Sequence, residues 1–81
     1  MEKPGKTINL PQRLGGLIRK HRLKLKLSQE VLAEKADIHR TYVSDIELGK
    51  VEISVTVASR IAKALNLSLN RLVKEAEEKS N

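Results

Sequence analysis

An all-α fold is what this chain of 81 residues predicts. Apolar residues recur at three- and four-residue spacing in five separate stretches, and no stretch alternates apolar with polar residues as a half-buried strand would. Residues suited to helix ends punctuate the stretches, with Pro11, Ser28, Ser54 and Ser68 at starts and Gly49 and Asn66 at ends. A chain of this length holds one core. The expected architecture is therefore a compact five-helix bundle in one domain.

Each element has its own signal. Residues 1–10 read as a flexible arm, broken by Pro4-Gly5. Pro11 suits the first turn of a helix, where its missing N–H costs nothing. Leu14, Leu17, Ile18, His21, Arg22 and Leu25 then repeat at helical spacing, predicting helix 1 over 11–25. Gly15-Gly16 weakens that helix locally but permits a close backbone approach. Ser28 caps helix 2 over 29–36, with Leu32, Ala33 and Ala36 inward. Asp37-Ile38-His39 forms a joint, and helix 3 runs from residue 39 or 40 to Leu48 before Gly49 stops it. Ser54 caps helix 4, whose inward residues are Val57, Ala58, Ile61 and Leu65, and Asn66 ends it. Ser68 caps helix 5, with Leu69, Leu72, Val73 and Ala76 inward. The domain spans 11–76, and residues 77–81 form a charged tail.

Composition narrows the function. The net charge is +6 and the pI about 9.9. Residues 1–50 hold 11 Lys and Arg against 6 Asp and Glu, whereas 51–81 are nearly balanced. Positive charge on one part of a small domain points to a polyanion. Tyr42 is the sole aromatic residue, which argues against a single-strand binder that stacks bases on several rings. The absence of cysteine removes disulfides, thiolate nucleophiles and zinc–sulfur sites together, and with no export signal it suits a reducing cytoplasm. No apolar run reaches the length of a membrane span. His21 and His39 lie in different helices with no nearby nucleophile, and there is no Gly-rich phosphate loop or HExxH pair. Neither an enzyme nor a cofactor, metal or small-molecule site is expected.

The third helix raises the question of function. At about 100° per residue, Val43 and Ile46 fall on one side, and Thr41, Ser44 and Asp45 fall on the other beside Arg40 and Tyr42. Ala33 is small enough for helix 3 to cross steeply above helix 2, as in a helix-turn-helix unit. That crossing leaves the start of helix 3 protruding, with a shape that fits the roughly 12 Å major groove of duplex DNA. Glu47 lies about 40° from Val43 on the helical wheel, at the edge of the buried face, where a carboxylate needs a partner. Arg22 of helix 1 is the candidate, its planar guanidinium suiting a bidentate pair.

The stretch LSQEVLAEKADIHRTYVSDIELGK, with RLGGLIRKHR before it and IAKALNLSLNRLV after it, resembles the Cro/C1-type (XRE) helix-turn-helix regulators. The resemblance runs from Gln12 to Val73 and implies the lambda repressor-like fold. HRTYVSDIE is most similar to the controller proteins of restriction–modification systems, and phage and plasmid regulators share the frame. It implies a homodimer, paired through helices 4 and 5, on a palindromic operator in double-stranded DNA. Gln29 corresponds to a residue that contacts a phosphate and braces helix 3. Arg40, Thr41, Ser44 and Asp45 occupy base-edge and backbone-facing positions. Tyr42 stands where controllers carry a DNA-contacting tyrosine, and Lys50 lies in a loop that approaches the phosphates. With His39 at the joint, these residues form the candidate DNA-binding set. Arg22 and Glu47 match the family's internal ion pair.

This sequence departs from the family at four places. Lys26 and Asp37 replace the usual glycines before and within the motif, His21 replaces an apolar residue, and Glu52-Ile53-Ser54 replaces a Pro-Ser/Thr helix start. Asp tolerates a left-handed backbone, His21 is expected to be half-buried rather than a ligand, and Glu52 lowers the positive potential nearby. The rival expectation is a protein-interaction module, such as an antitoxin or coactivator, using the tail KEAEEKSN.

Overall fold

In the computed structural model, which describes residues 10–78, the helices are α1 (Leu10–Lys24), α2 (Gln29–Ala36), α3 (Arg40–Glu47), α4 (Val55–Ala64) and α5 (Leu69–Glu78). α1 packs against α3 and α5, α2 packs against α3 and α4, and α4 packs against α5. Ile18, Leu32, Val43, Ile46, Ile61 and Leu72 are the largest fully buried side chains. Each contributes roughly 1.5–3 kcal/mol relative to exposure. One of these residues comes from each of α1, α2 and α5, one from α4 and two from α3, so α3 is clamped by its inner face.

The starts follow the sequence closely. Ser28, Ser54 and Ser68 accept hydrogen bonds from the backbone N–H of Val31, Val57 and Arg71 at 3.0–3.1 Å. Each thereby satisfies one orphan donor of its helix.

The ends of the first four helices share one device. Lys26, Asp37, Gly49 and Asn66 all have left-handed backbone, with φ between 59° and 72°. In each case that residue's N–H bonds a carbonyl three residues back, and the next N–H reaches five residues back: Lys26 to Leu23 with Leu27 to Arg22, Asp37 to Glu34 with Ile38 to Ala33, Gly49 to Ile46 with Lys50 to Asp45, and Asn66 to Lys63 with Leu67 to Ala62. This is the Schellman arrangement. The residues that follow it, Leu27, Ile38 and Leu67, turn inward onto the core. Only one of the four left-handed positions is glycine, so the others carry a conformational cost.

Some boundaries differ from expectation. α1 begins at Leu10, a position assigned above to the arm, because Leu10 packs against the core. α1 stops at Lys24, since left-handed Lys26 turns the chain, and Leu25 lies in that turn at 40% exposure rather than on the inner stripe. Glu77 and Glu78, expected in the tail, are helical residues of α5. The rest of the arm (1–9) and of the tail (79–81) lies outside the described residues. Leu69 and Val73 are half-buried rather than buried. No helix among the described residues is long and apolar enough to cross a membrane.

Candidate nucleic-acid interface

α3 is eight residues long and has little intrinsic stability, since isolated helices of this length are marginal in water. Its position is imposed by packing and one polar network. Val43 and Ile46 are buried. Glu47, also buried, accepts from Arg22 Nε at 2.7 Å and from Arg22 Nη2 at 3.0 Å, a bidentate pair between α1 and α3. Arg22 Nη1 donates to the carbonyl of Leu27 at 2.7 Å, and Gln29 Nε2 donates to Glu47 Oε1 at 3.1 Å. The Glu47 carboxylate therefore ties α1 and the start of α2 to α3, and Arg22 extends the link to the turn after α1. The bond to Glu47 raises the pKa of Arg22 above its ordinary value, against the opposing effect of burial. Among the described residues no buried side-chain polar atom lacks a partner, which is the condition under which a buried ion pair is tolerated.

The opposite side of α3 is open. His39 stands at the N-cap position with extended backbone and makes no side-chain cap bond, so its imidazole is left facing outward. Arg40 and Thr41 are exposed, Ser44 and Asp45 half-buried, and Lys50 exposed in the connector after α3. Arg40 and Lys50 have no acidic partner among the described residues. Asp45 is not hydrogen-bonded to Arg40, so the carboxylate does not orient the guanidinium here. Tyr42 is half-buried and packs against the core, leaving only part of its side chain for an outside partner. The start of α3 therefore offers a cation, hydroxyls, an imidazole and a helix N-terminus on one exposed edge, and such an edge suits an anionic, hydrogen-bonding ligand.

A second ion-pair system was not anticipated. His21 is half-buried, as expected for a helix-face residue, and its Nε2 lies 2.9 Å from Glu75 Oε1 on α5. Arg71 Nε donates to the other oxygen of Glu75 at 3.1 Å. The hydrogen bond with His21, aided by Arg71, holds the Glu75 carboxyl below its usual range. Arg71 and Glu75 stand at i and i+4, a helical pairing visible in the sequence. The link to His21 crosses from α5 to α1 and had no local signal.

Two short helices, α2 and α3, packed on each other across the three-residue joint 37–39 make a helix-turn-helix unit. The Helix-turn-helix family model matches residues 18–72, and the chain belongs to that family, in its Cro/C1 (XRE) branch. Over 62 residues it is 44% identical to control protein C.BamHI of Bacillus amyloliquefaciens, covering 75% of this chain and 76% of that protein. Over 61 residues it is 43% identical to the ImmF control region 10 kDa protein of Bacillus phage phi105, covering 75% of this chain and 68% of the phage protein. The crystal structure of the restriction–modification controller C.AhdI from Aeromonas hydrophila superposes with a TM-score of 0.74 at 31% identity, covering 76% of this chain and 94% of that one. A mutant of C.Esp1396I bound to its highest-affinity operator site superposes with a TM-score of 0.79 at 27% identity, over 88% of this chain and 93% of that chain.

Proposed function

We propose that this protein is a sequence-specific regulator of transcription that binds double-stranded DNA as a two-fold homodimer on a palindromic operator, in the manner of restriction–modification controllers. The observation that carries the reading is the division of α3. Val43, Ile46 and Glu47 are buried and stapled, while Arg40 and Thr41 are exposed at its start. The family membership and the operator-bound relative support it.

In this reading Arg40 makes the bidentate contact to guanine O6 and N7, and Thr41, Ser44 and Asp45 meet base edges or thymine methyls. His39, Tyr42, Lys50 and the start of α2 at Gln29 meet the phosphates and fix register. Gln29 has two roles, because the amide that faces DNA also holds Glu47 at 3.1 Å. One reading helix of eight residues covers too few base pairs for a unique site. A second copy, paired through α4 and α5, sets two reading helices about one turn of duplex, ~34 Å, apart.

Selection of bound duplexes from a random pool tests the function. A palindrome with half-sites near one turn apart is expected. A pool that stays random, with binding indifferent to salt, would contradict it.

A further inference from the structure

Three of the described residues other than glycine have left-handed backbone: Lys26, Asp37 and Asn66. Asp and Asn tolerate that region because a short polar side chain can bond locally, whereas lysine gains nothing from it. Lys26 is the outlier of the set, and a residue held in a disfavoured conformation is a place to look for function. Packing does not explain it. The side chain is exposed and has no hydrogen bond or ion pair among the described residues. Nor does the C-terminus of α1 require it, since His21, Arg22 and Lys24 already set basic groups in the last turn.

The place of the turn supplies a reason. Leu27, the next residue, turns inward onto the core, and its carbonyl accepts from the guanidinium that pairs with Glu47 of α3. Lys26 and Ser28 on either side of it are exposed. Gln29 then opens α2, and its amide donates to the same Glu47. Lys26 therefore stands within roughly 11 Å of Gln29 along the chain, about three nucleotide steps at ~3.4 Å each. A lysine ammonium is a hydrated point charge on a flexible stem, and that form suits a phosphate better than a base edge. We propose that Lys26 is a DNA-backbone contact, its ammonium meeting a phosphate near the one assigned to Gln29 and adding affinity without reading sequence. The proposal rests on the duplex-binding reading above and adds a residue that the family resemblance does not supply, because a glycine is usual at this position. The left-handed lysine thus gives up some stability of the turn for a hold on the duplex.

Titration of the full chain against the selected operator and a random duplex, over a series of salt concentrations, tests the contact. Lys26→Gly and Lys26→Asn both suit a left-handed turn, so both are expected to fold. Each is expected to weaken binding to the two duplexes alike, by roughly three- to tenfold at ~0.1 M salt, and to lower the slope of log affinity against log salt by about 0.9, the value for one phosphate. Lys26→Arg keeps the charge and is expected to keep the wild-type slope. Lys63→Gln removes the same charge from an exposed position in the last turn of α4 and is expected to leave the slope unchanged. Wild-type slopes in both Lys26→Gly and Lys26→Asn, or an equal fall in Lys63→Gln, would overturn the proposal. A loss confined to the operator would overturn it as well, because a phosphate contact carries no sequence information. A wild-type chain that binds neither duplex would sink the regulator reading and this contact with it, whereas wild-type binding with unchanged Lys26 variants would sink the contact alone.

Discussion

The backbone of Gly15 in α1 lies so close to the carbonyl oxygen of Ile46 in α3 that a methyl group at residue 15 would overlap it, while standing 3.0 Å from the carbonyl oxygen of Glu47. The neighbouring Gly16 faces open space. The two glycines should therefore respond oppositely to alanine. Gly15→Ala must push α1 off α3 and is expected to cost about 1–3 kcal/mol. Gly16→Ala removes a flexible residue from an exposed helix and is expected to gain about 0.5–1 kcal/mol. Urea denaturation of both variants checks the sign of each.

The buried pair between Arg22 and Glu47 predicts strong coupling. Glu47→Ala leaves a buried guanidinium with only the Leu27 carbonyl and is expected to destabilise by roughly 3 kcal/mol. Replacing both partners by apolar residues, Arg22→Met with Glu47→Leu, is expected to cost less than the two single changes added together, with a coupling of about 0.5–3 kcal/mol. A double-mutant cycle measured by thermal unfolding gives that number directly. Additive single costs would mean that the pair is not the staple of α3.

Left-handed Lys26 predicts a gain from glycine. Lys26 has φ 59° and Asp37 has the same value, but Asp accommodates this region better than Lys. Lys26→Gly is expected to stabilise by about 0.5–1 kcal/mol, and Asp37→Gly by less. Melting temperatures of the two variants, compared with wild type, give the order.

Glu75 predicts a pH dependence. Its carboxyl is held below the ordinary value of 4.5 by the bond with His21 and by Arg71. A group whose folded pKa is lowered adds stability above its unfolded pKa and loses it as pH falls through the folded value. Wild type should thus exceed Glu75→Gln in stability at neutral pH, by about 1 kcal/mol or less because the site is partly solvated. The difference should vanish in acid. Denaturation of both proteins across the acid range tests this; a gap that widens on acidification would contradict it.

Much of this structure is legible in the sequence, for local reasons. Serine caps, apolar periodicity and the inner face of α3 depend on neighbours within a turn or two, so Ser28, Ser54, Ser68, Val43 and Ile46 could be placed by spacing alone. The Arg22–Glu47 pair was also readable, because a carboxylate at the rim of a buried face must find a cation. What escaped was set by distance or by backbone angle. Helical spacing sets Gly15 on the stripe of Ile18 and Arg22 and Gly16 off it, but how closely the backbone of α3 approaches Gly15 is set by packing alone. Leu10 looks like part of a polar arm until the core it touches exists. The Lys26 turn required a residue with no preference for left-handed backbone to adopt it, and the His21–Glu75 link joins two helices far apart in the chain. The half-burial of Tyr42 follows from the core as well.

The central claim is that the exposed start of α3 reads bases, and titration of Arg40→Ala against the selected operator and a random duplex at matched salt tests it most directly. The expected result is a loss of about 1–3 kcal/mol, roughly 5- to 150-fold, on the operator, with random-duplex affinity reduced far less. Equal loss on both duplexes, or no loss on either, would contradict it.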